Sequence, residues 1–301
     1  MSLLRILSGA VLFAYLGIVA RASWVLSHPR RDFVPRNYRP SALPLERVQV
    51  QSRGGLRLAA WHARQDDAPG TIVFSHGVWS NHLEMESRAE ALWRRGFSVL
   101  LFDYRACGES EGRTTTLGQK EVDDLLGAVD FLSGDSDRGP IGVWGNSMGG
   151  SIAIMAAGRC PHIDAVVSDS AFAVLAGNLG HGFHAATGLP AWLFLRAVIA
   201  LAEALAGGDL RSVRPLDSVP ALSPRPLLLV QGEEDVLVHP REARALHAAA
   251  GDPKELWMLP DCGHVEAFDR LPDEFTDQVD KFFRQAFESA GPTRADTSET
   301  P

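Results

Sequence analysis

Residues Gly145-Asn146-Ser147-Met148-Gly149 place a serine between two glycines in the pattern G-x-S-x-G. With 28 glycines in 301 residues such a pattern arises easily by chance, so its setting carries the weight. It follows the apolar run Ile141–Gly145 and opens a stretch of small and apolar residues through Ile152, Ala153, Ala156 and Ala157. A strand, a turn too tight for side chains at the glycines, and a helix would hold the Ser147 hydroxyl exposed at the helix N-terminus. The plainer reading is a Gly-rich turn with a capping serine. A serine hydroxyl is a poor nucleophile at neutral pH, so it needs a base, and the base needs an acid to orient it. His264 follows the run Glu255–Leu259 through Pro260-Asp261-Cys262-Gly263, and Asp235 follows the run Pro226–Gln231 through Gly232-Glu233-Glu234. Both fall in the chain order that this chemistry uses on a strand-turn-helix scaffold. His239, before Pro240, and His247, inside a predicted helix, read as structural. The acid has rivals: Glu233 and Glu234 adjoin Asp235, and Asp169 also satisfies the chain order, although it reads equally as a turn residue bracing a sheet end. The oxyanion of a tetrahedral intermediate requires backbone N–H donors. Met148, directly after the serine, and Val78, in the loop His76-Gly77-Val78, are the candidates, with His76 read as loop packing.

These residues need rigid elements to hold them. Strands are predicted over Thr71–Ser75, Ser98–Phe102, Ile141–Gly145, Ala165–Asp169, Pro226–Gln231 and Glu255–Leu259, and helices over Glu84–Arg95, Gly118–Ser133, Ser147–Gly158, Arg241–Ala250 and Pro272–Phe287. Short apolar strands without alternation, separated by helices, imply a largely parallel sheet covered on both faces. Arg47–Gln51 and Leu56–His62 around Gly54-Gly55 read as an opening hairpin. Residues 171–223 break the rhythm. They hold no strand-like run but a long apolar helical stretch, Leu189–Ala206, and read as a helical lid inserted over one end of the sheet. Its Phe172, Leu175, Phe183, Leu189, Trp192, Leu193, Phe194 and Leu195 suit an acyl chain or aryl ester, or else simply pack the lid down. Arg196 and Glu203 argue against its crossing a membrane.

The N-terminus differs in kind. Residues 1–26 contain the uncharged run Ile6–Ala20, about 22 Å as a helix. Spanning a hydrocarbon core of roughly 30 Å requires Arg5 and Arg21 to snorkel and Trp24 to sit at the interface. The competing readings are a secretory segment cleaved at Ala20-Arg21-Ala22, which the arginine inside that site disfavours, and a core helix buried in the body. Of the net charge of -8, residues 1–40 contribute +5, six arginines against Asp32, so the remainder carries -13. An acidic body gives no electrostatic reason to bind nucleic acid, whereas a basic collar after an apolar helix predicts a membrane anchor with the body in the cytoplasm. Residues 27–45, with four prolines, read as an extended linker, and the polar residues 289–301 as a disordered tail. Cys107, Cys160 and Cys262 have no metal-ligand spacing and read as free thiols.

Taken together, Ser75-His76-Gly77, Asp103-Tyr104-Arg105 through Gly108-Glu109-Ser110, the serine turn, Ser168-Asp169-Ser170, Gly232 to Asp235 and Gly263-His264 resemble the serine α/β-hydrolase superfamily over about residues 48–287. The pattern looks most like its small, often membrane-anchored esterases and thioesterases related to prolyl-oligopeptidase-type catalytic domains. The resemblance implies an α/β-hydrolase fold with a mostly parallel eight-stranded sheet over residues 46–288. It implies a Ser147-Asp235-His264 triad, no cofactor or metal, and hydrolysis of ester, thioester or sometimes amide bonds. Ala106-Cys107 stands where the family usually has Gly-His, which bears on the pocket wall and not on the triad. The cysteine-rich N-terminus of some depalmitoylating relatives is absent, and no β-propeller precedes the domain. A serine peptidase is the nearest alternative, and a non-catalytic binding protein on the same fold is the alternative of another class.

Overall fold

The computed structural model describes residues 3–36, 38–134 and 139–290. Eight strands form one sheet: β1 (Glu46–Gln51), β2 (Arg57–Ala63), β3 (Thr71–Ser75), β4 (Ser98–Phe102), β5 (Ile141–Asn146), β6 (Ala165–Asp169), β7 (Leu227–Gly232) and β8 (Lys254–Leu259). Their order is β1-β2-β4-β3-β5-β6-β7-β8. The β1–β2 and β2–β4 pairs are antiparallel, and every later pair is parallel. The helices are α1 (Leu3–Ser27), α2 (Glu86–Arg94), α3 (Glu121–Ser133), α4 (Met148–Ala157), α5 (Leu175–Thr187), α6 (Ala191–Ala206), α7 (Pro215–Ser218), α8 (Arg241–Ala249), α9 (Ala267–Arg270) and α10 (Pro272–Ala290). This is the α/β-hydrolase fold.

Strands β3 to β7 are buried at every residue, which explains their continuous apolar composition. One face packs α3 and α4 through Leu125, Val129, Ile152 and Ala156. The other packs α2 and α10, where Phe275, Val279, Phe282, Phe283 and Phe287 recur at helical spacing and Phe275 stacks on Trp144 at 5.4 Å. Each such fully buried aromatic stabilises the fold by about 1.5–3 kcal/mol. The parallel register aligns the strand ends: Gly145 lies beside both Ser75 and Ser168, Asn146 beside Asp169, and Gly232 beside Leu259. Strand order reverses between β3 and β5, and ligands of open α/β sheets bind at the carboxyl ends around such a point.

Three stretches differ from the sequence expectation. The helical insertion contains two long helices, not one. Gly188 adopts the left-handed conformation that ends α5, and Pro190 starts α6, so the pair bends by 115°. The stretch 27–45 is extended but strapped to the body. Arg31 donates to the carbonyls of Ser110 (2.6 Å) and Gly112, Asn81 Nδ2 donates to Phe33 O (2.8 Å), and Ser41 Oγ donates to Glu86 Oε1 (2.7 Å). Asn37 lies outside the described residues. At the other end, Ser289 and Ala290 close α10, and the rest of the expected tail lies outside the described residues.

The helix α1 does not stand apart from the body. Its window Leu7–Ser27 is long and apolar enough to span a membrane. Its C-terminal half nevertheless lies along α6: Ser23 Oγ donates to Val198 O (3.0 Å), Tyr15 Oη to Leu193 O (3.2 Å), Tyr15 stacks on Phe194, and Val19, Phe194 and Val198 form a small buried cluster.

Candidate active site

Ser147 sits between β5 and α4 with φ 52° and ψ -117°, a conformation that L-residues rarely adopt and that marks a turn held by its surroundings. The flanking glycines explain how it is held. A Cβ on Gly145 would lie 2.3 Å from the Gly149 backbone, and one on Gly149 would lie 2.1 Å from Ser75 O, so only glycine lets β3, β5 and α4 converge. The Ser147 N–H donates to Asp169 O at 2.7 Å, tying the turn to β6.

His264, on the loop after β8, places Nε2 at 3.0 Å from Ser147 Oγ and Nδ1 at 2.7 Å from Asp235 Oδ2. Since an ionised carboxylate only accepts, Nδ1 carries the proton and Nε2 is free to take one from Ser147. Asp235, on the loop after β7, has its side chain fully buried. Its Oδ1 accepts the N–H groups of Leu237 and Val238, each at 2.8 Å, and Gln231 Nε2 donates to Oδ2 at 3.1 Å. Burial alone would raise its pKa. The hydrogen bond and charge of His264, with the two amides, outweigh this and hold the carboxyl below the usual carboxylate range.

The other acids occupy different positions. Asp169 Oδ1 accepts from Ser170 Oγ (2.9 Å), which in turn accepts the Val265 N–H (3.2 Å), so Asp169 is hydrogen-bonded to the His264 loop through Ser170 rather than to the imidazole. Burial pushes its carboxyl up to about 6, against the nearby positive charge of Arg88. Arg88 Nη2 donates to Val265 O at 3.2 Å, a second brace on that loop. Glu233 pairs with Arg244 at the surface, and Glu234 is exposed. His239 Nδ1 accepts the Arg241 N–H at the start of α8. His76 is fully buried, donates from Nδ1 to Gly77 O (2.8 Å) and accepts the Tyr104 N–H at Nε2 (3.1 Å), so it shapes its loop; burial lowers its pKa.

The backbone N–H groups of Val78 and Met148 make no hydrogen bond to the protein among the described residues, and both residues line a cavity with Ser147 and His264. That cavity is about 1000 Å³ and mostly apolar; Phe172, Leu175 and Leu179 line it with Ile18 and Val25 of α1, and Arg21 and Asn178 are among its polar residues. A second cavity of about 890 Å³ also reaches Ser147 and His264, and it is lined by Arg39, Arg94, Glu84 and Glu90 together with Tyr38 of the strapped segment. The sequence reading missed the α1 contribution and the Ser170–Val265 brace. The available signal for the first is Gly17, Ala22 and Ser23 set among large apolar residues of one helix.

The fold and this constellation define an α/β hydrolase. Residues 66–205 match the family model described as serine aminopeptidase, S33. The chain is 33% identical over 230 residues to the uncharacterized protein Rv2307c of Mycobacterium tuberculosis, covering 74% of each, and 28% identical over 236 residues to the uncharacterized protein YqkD of Bacillus subtilis, covering 77% of each. Among solved structures it resembles the Pyrococcus furiosus esterase Pf2001, with TM-score 0.72, 29% identity, and 86% and 98% of the two chains covered. The chain belongs to the α/β-hydrolase superfamily, and it is a hydrolytic enzyme.

Proposed function

We propose that the protein is a serine hydrolase that cleaves carboxylic ester or thioester bonds of substrates with an apolar acyl group. One observation carries this reading: the hydrogen-bonded series Ser147–His264–Asp235 opens, beside two unbonded backbone N–H groups, into an apolar cavity. Ser147 Oγ attacks the acyl carbon while His264 Nε2 takes its proton, and Asp235 stabilises the imidazolium that forms. The Val78 and Met148 amides bind the oxyanion. His264 then protonates the leaving alcohol or thiol, and water activated by the same imidazole hydrolyses the acyl-enzyme. The acyl group occupies the apolar cavity, and the cavity carrying Arg39, Arg94, Glu84 and Glu90 suits the polar leaving group. The esterase named among the structural relatives supports the ester reading, and no cofactor or metal enters it. In this reading α1 attaches the enzyme to a membrane through its outward apolar side chains Leu7, Val11, Leu12, Phe13 and Leu16, with the basic collar and the body on the cytoplasmic side.

The test is an ester and thioester panel, set beside aminoacyl and peptidyl amides, on wild type and Ser147→Ala. Ester turnover falls by about 10⁴-fold or more in the variant, with loss of fluorophosphonate labelling. Retained turnover and labelling would sink the assignment, and faster amide than ester cleavage would make the protein a peptidase.

A further inference from the structure

The N-terminal helix lies on the wall of the cavity that contains Ser147. Ala14, Gly17, Ile18, Ala22, Val25 and Leu26 of α1, with Arg21 as its one charged residue there, line it together with α5 and α6. From Ala14 to Leu26 this wall runs about 18 Å at the helical rise, the reach of a long-chain acyl group. The docking is specific. Ser23, fully buried, spends its hydroxyl on Val19 O (2.7 Å) and Val198 O (3.0 Å), and Tyr15 reaches Leu193 O. Two glycines leave open space along its lining: a Cβ at the exposed Gly17 of α1 or the half-buried Gly182 of α5 would meet nothing within 4 Å. The other side of α1 carries Leu7, Val11, Leu12, Phe13 and Leu16 exposed, Phe13 at 80%, and α6 adds Trp192 at 81%. One helix therefore borders the cavity on one side and turns large apolar side chains outward on the other.

Resting on the ester-hydrolase reading above, we infer that α1 is a structural wall of the acyl site. The substrate's apolar chain lies between α1 and the α5–α6 pair, and Gly17 and Gly182 set the chain length accepted. A helix with this role is retained in the working enzyme and is not a cleaved leader, because removing it would open the acyl site along its whole length.

The experiment uses the full chain in detergent, with active sites counted by fluorophosphonate labelling, and compares kcat/KM for p-nitrophenyl acetate, butyrate, octanoate and palmitate. One misfitting methylene in an apolar pocket changes kcat/KM by roughly 10–200-fold. Gly17→Phe and Gly182→Phe are therefore expected to lower the palmitate-to-acetate ratio by about tenfold or more. Gly17→Leu, a milder filling, lowers it less, and Phe13→Leu on the outer face keeps the wild-type ratio. A wild-type ratio in Gly17→Phe overturns the wall assignment, whatever Gly182→Phe does. A wild type that neither turns over esters nor takes the fluorophosphonate overturns the serine-hydrolase reading itself and the wall with it; labelling with an unmoved ratio overturns the wall alone.

Discussion

Replacing Asp235 by asparagine exchanges one oxygen for an NH2 group and, in this geometry, reverses the hydrogen carried by His264. Oδ1 of Asp235 accepts two backbone N–H groups, from Leu237 and Val238 at 2.8 Å each. An amide in the same place keeps its oxygen on those two donors, since turning its NH2 towards them would set donor against donor. The NH2 then faces His264 Nδ1, where Oδ2 stood at 2.7 Å. Nδ1 must now accept, the imidazole proton moves to Nε2, and the nitrogen 3.0 Å from Ser147 Oγ can no longer take a proton from it. The same NH2 also meets Gln231 Nε2, at 3.1 Å from Oδ2. Gln231 can relieve this by turning its unpartnered Oε1 inward, at the loss of its bonds to Gly232 O (3.1 Å) and Val238 O (3.2 Å). A triad locked in the wrong tautomer loses about 10⁴ in kcat, or roughly 5.5 kcal/mol of transition-state stabilisation. Asp235→Asn should show that loss in steady-state hydrolysis of a p-nitrophenyl ester, with a melting temperature close to wild type because the side chains are nearly isosteric. A loss below about tenfold, or an equal loss from Asp169→Asn, would refute the assignment of Asp235 as the orienting acid.

Asp169→Asn tests a different property. Its folded carboxyl titrates near about 6 against an ordinary 3.8, so between these values the folded state holds a proton that the unfolded state has released. Stability therefore falls as pH rises through that window, by about 3 kcal/mol in all. The asparagine variant should match wild type near the lower value and exceed it by up to about 3 kcal/mol above pH 7 in urea denaturation; parallel stability curves would contradict this. Gly149→Ala drives a Cβ to 2.1 Å from Ser75 O and 2.6 Å from His76 O, displacing the loop that carries the Val78 amide. Loss of one oxyanion donor costs about 10²–10³ in kcat, so ester turnover should fall by at least that factor, and wild-type rates would show that the loop is not part of the site.

Much of this architecture is legible in the chain because burial on both faces leaves a simple signature. The continuous apolar runs at Thr71–Ser75, Ser98–Phe102 and Ala165–Asp169 coincide with β3, β4 and β6. Ser147, Asp235 and His264 lie at ends of such runs, and so chain order alone brings them to one edge of the sheet. Chain order does not separate Asp235 from Glu233, Glu234 or Asp169. That distinction depends on which carboxylate the Leu237 and Val238 amides orient towards the imidazole, a contact without periodicity. Helix α5 was hidden for a local reason: Gly177, Gly180 and Gly182 give it poor intrinsic propensity, and it forms because the lid packs around it. The docking of α1 was hidden for a global one. An apolar helix reads alike whether it faces lipid or protein, and only the partner surface on α6 decides.

The bond between Ser23 and Val198 joins residues 175 positions apart, so α1 cannot complete its docking until α6 has been made. Long-range contacts of this kind must wait for the intervening chain and pay its loop-closure entropy late. Throughout that interval the side of α1 that will border the cavity has no protein to cover it, and nor does the outward side with Leu12 and Phe13. The nascent chain therefore carries a sticky apolar rod ahead of a half-made sheet, and an apolar phase that shelters the rod until α6 appears would protect it from misassembly. A chain that stalls before residue 198 has the serine turn on an unfinished sheet, with neither Asp235 nor His264 and no chamber around it.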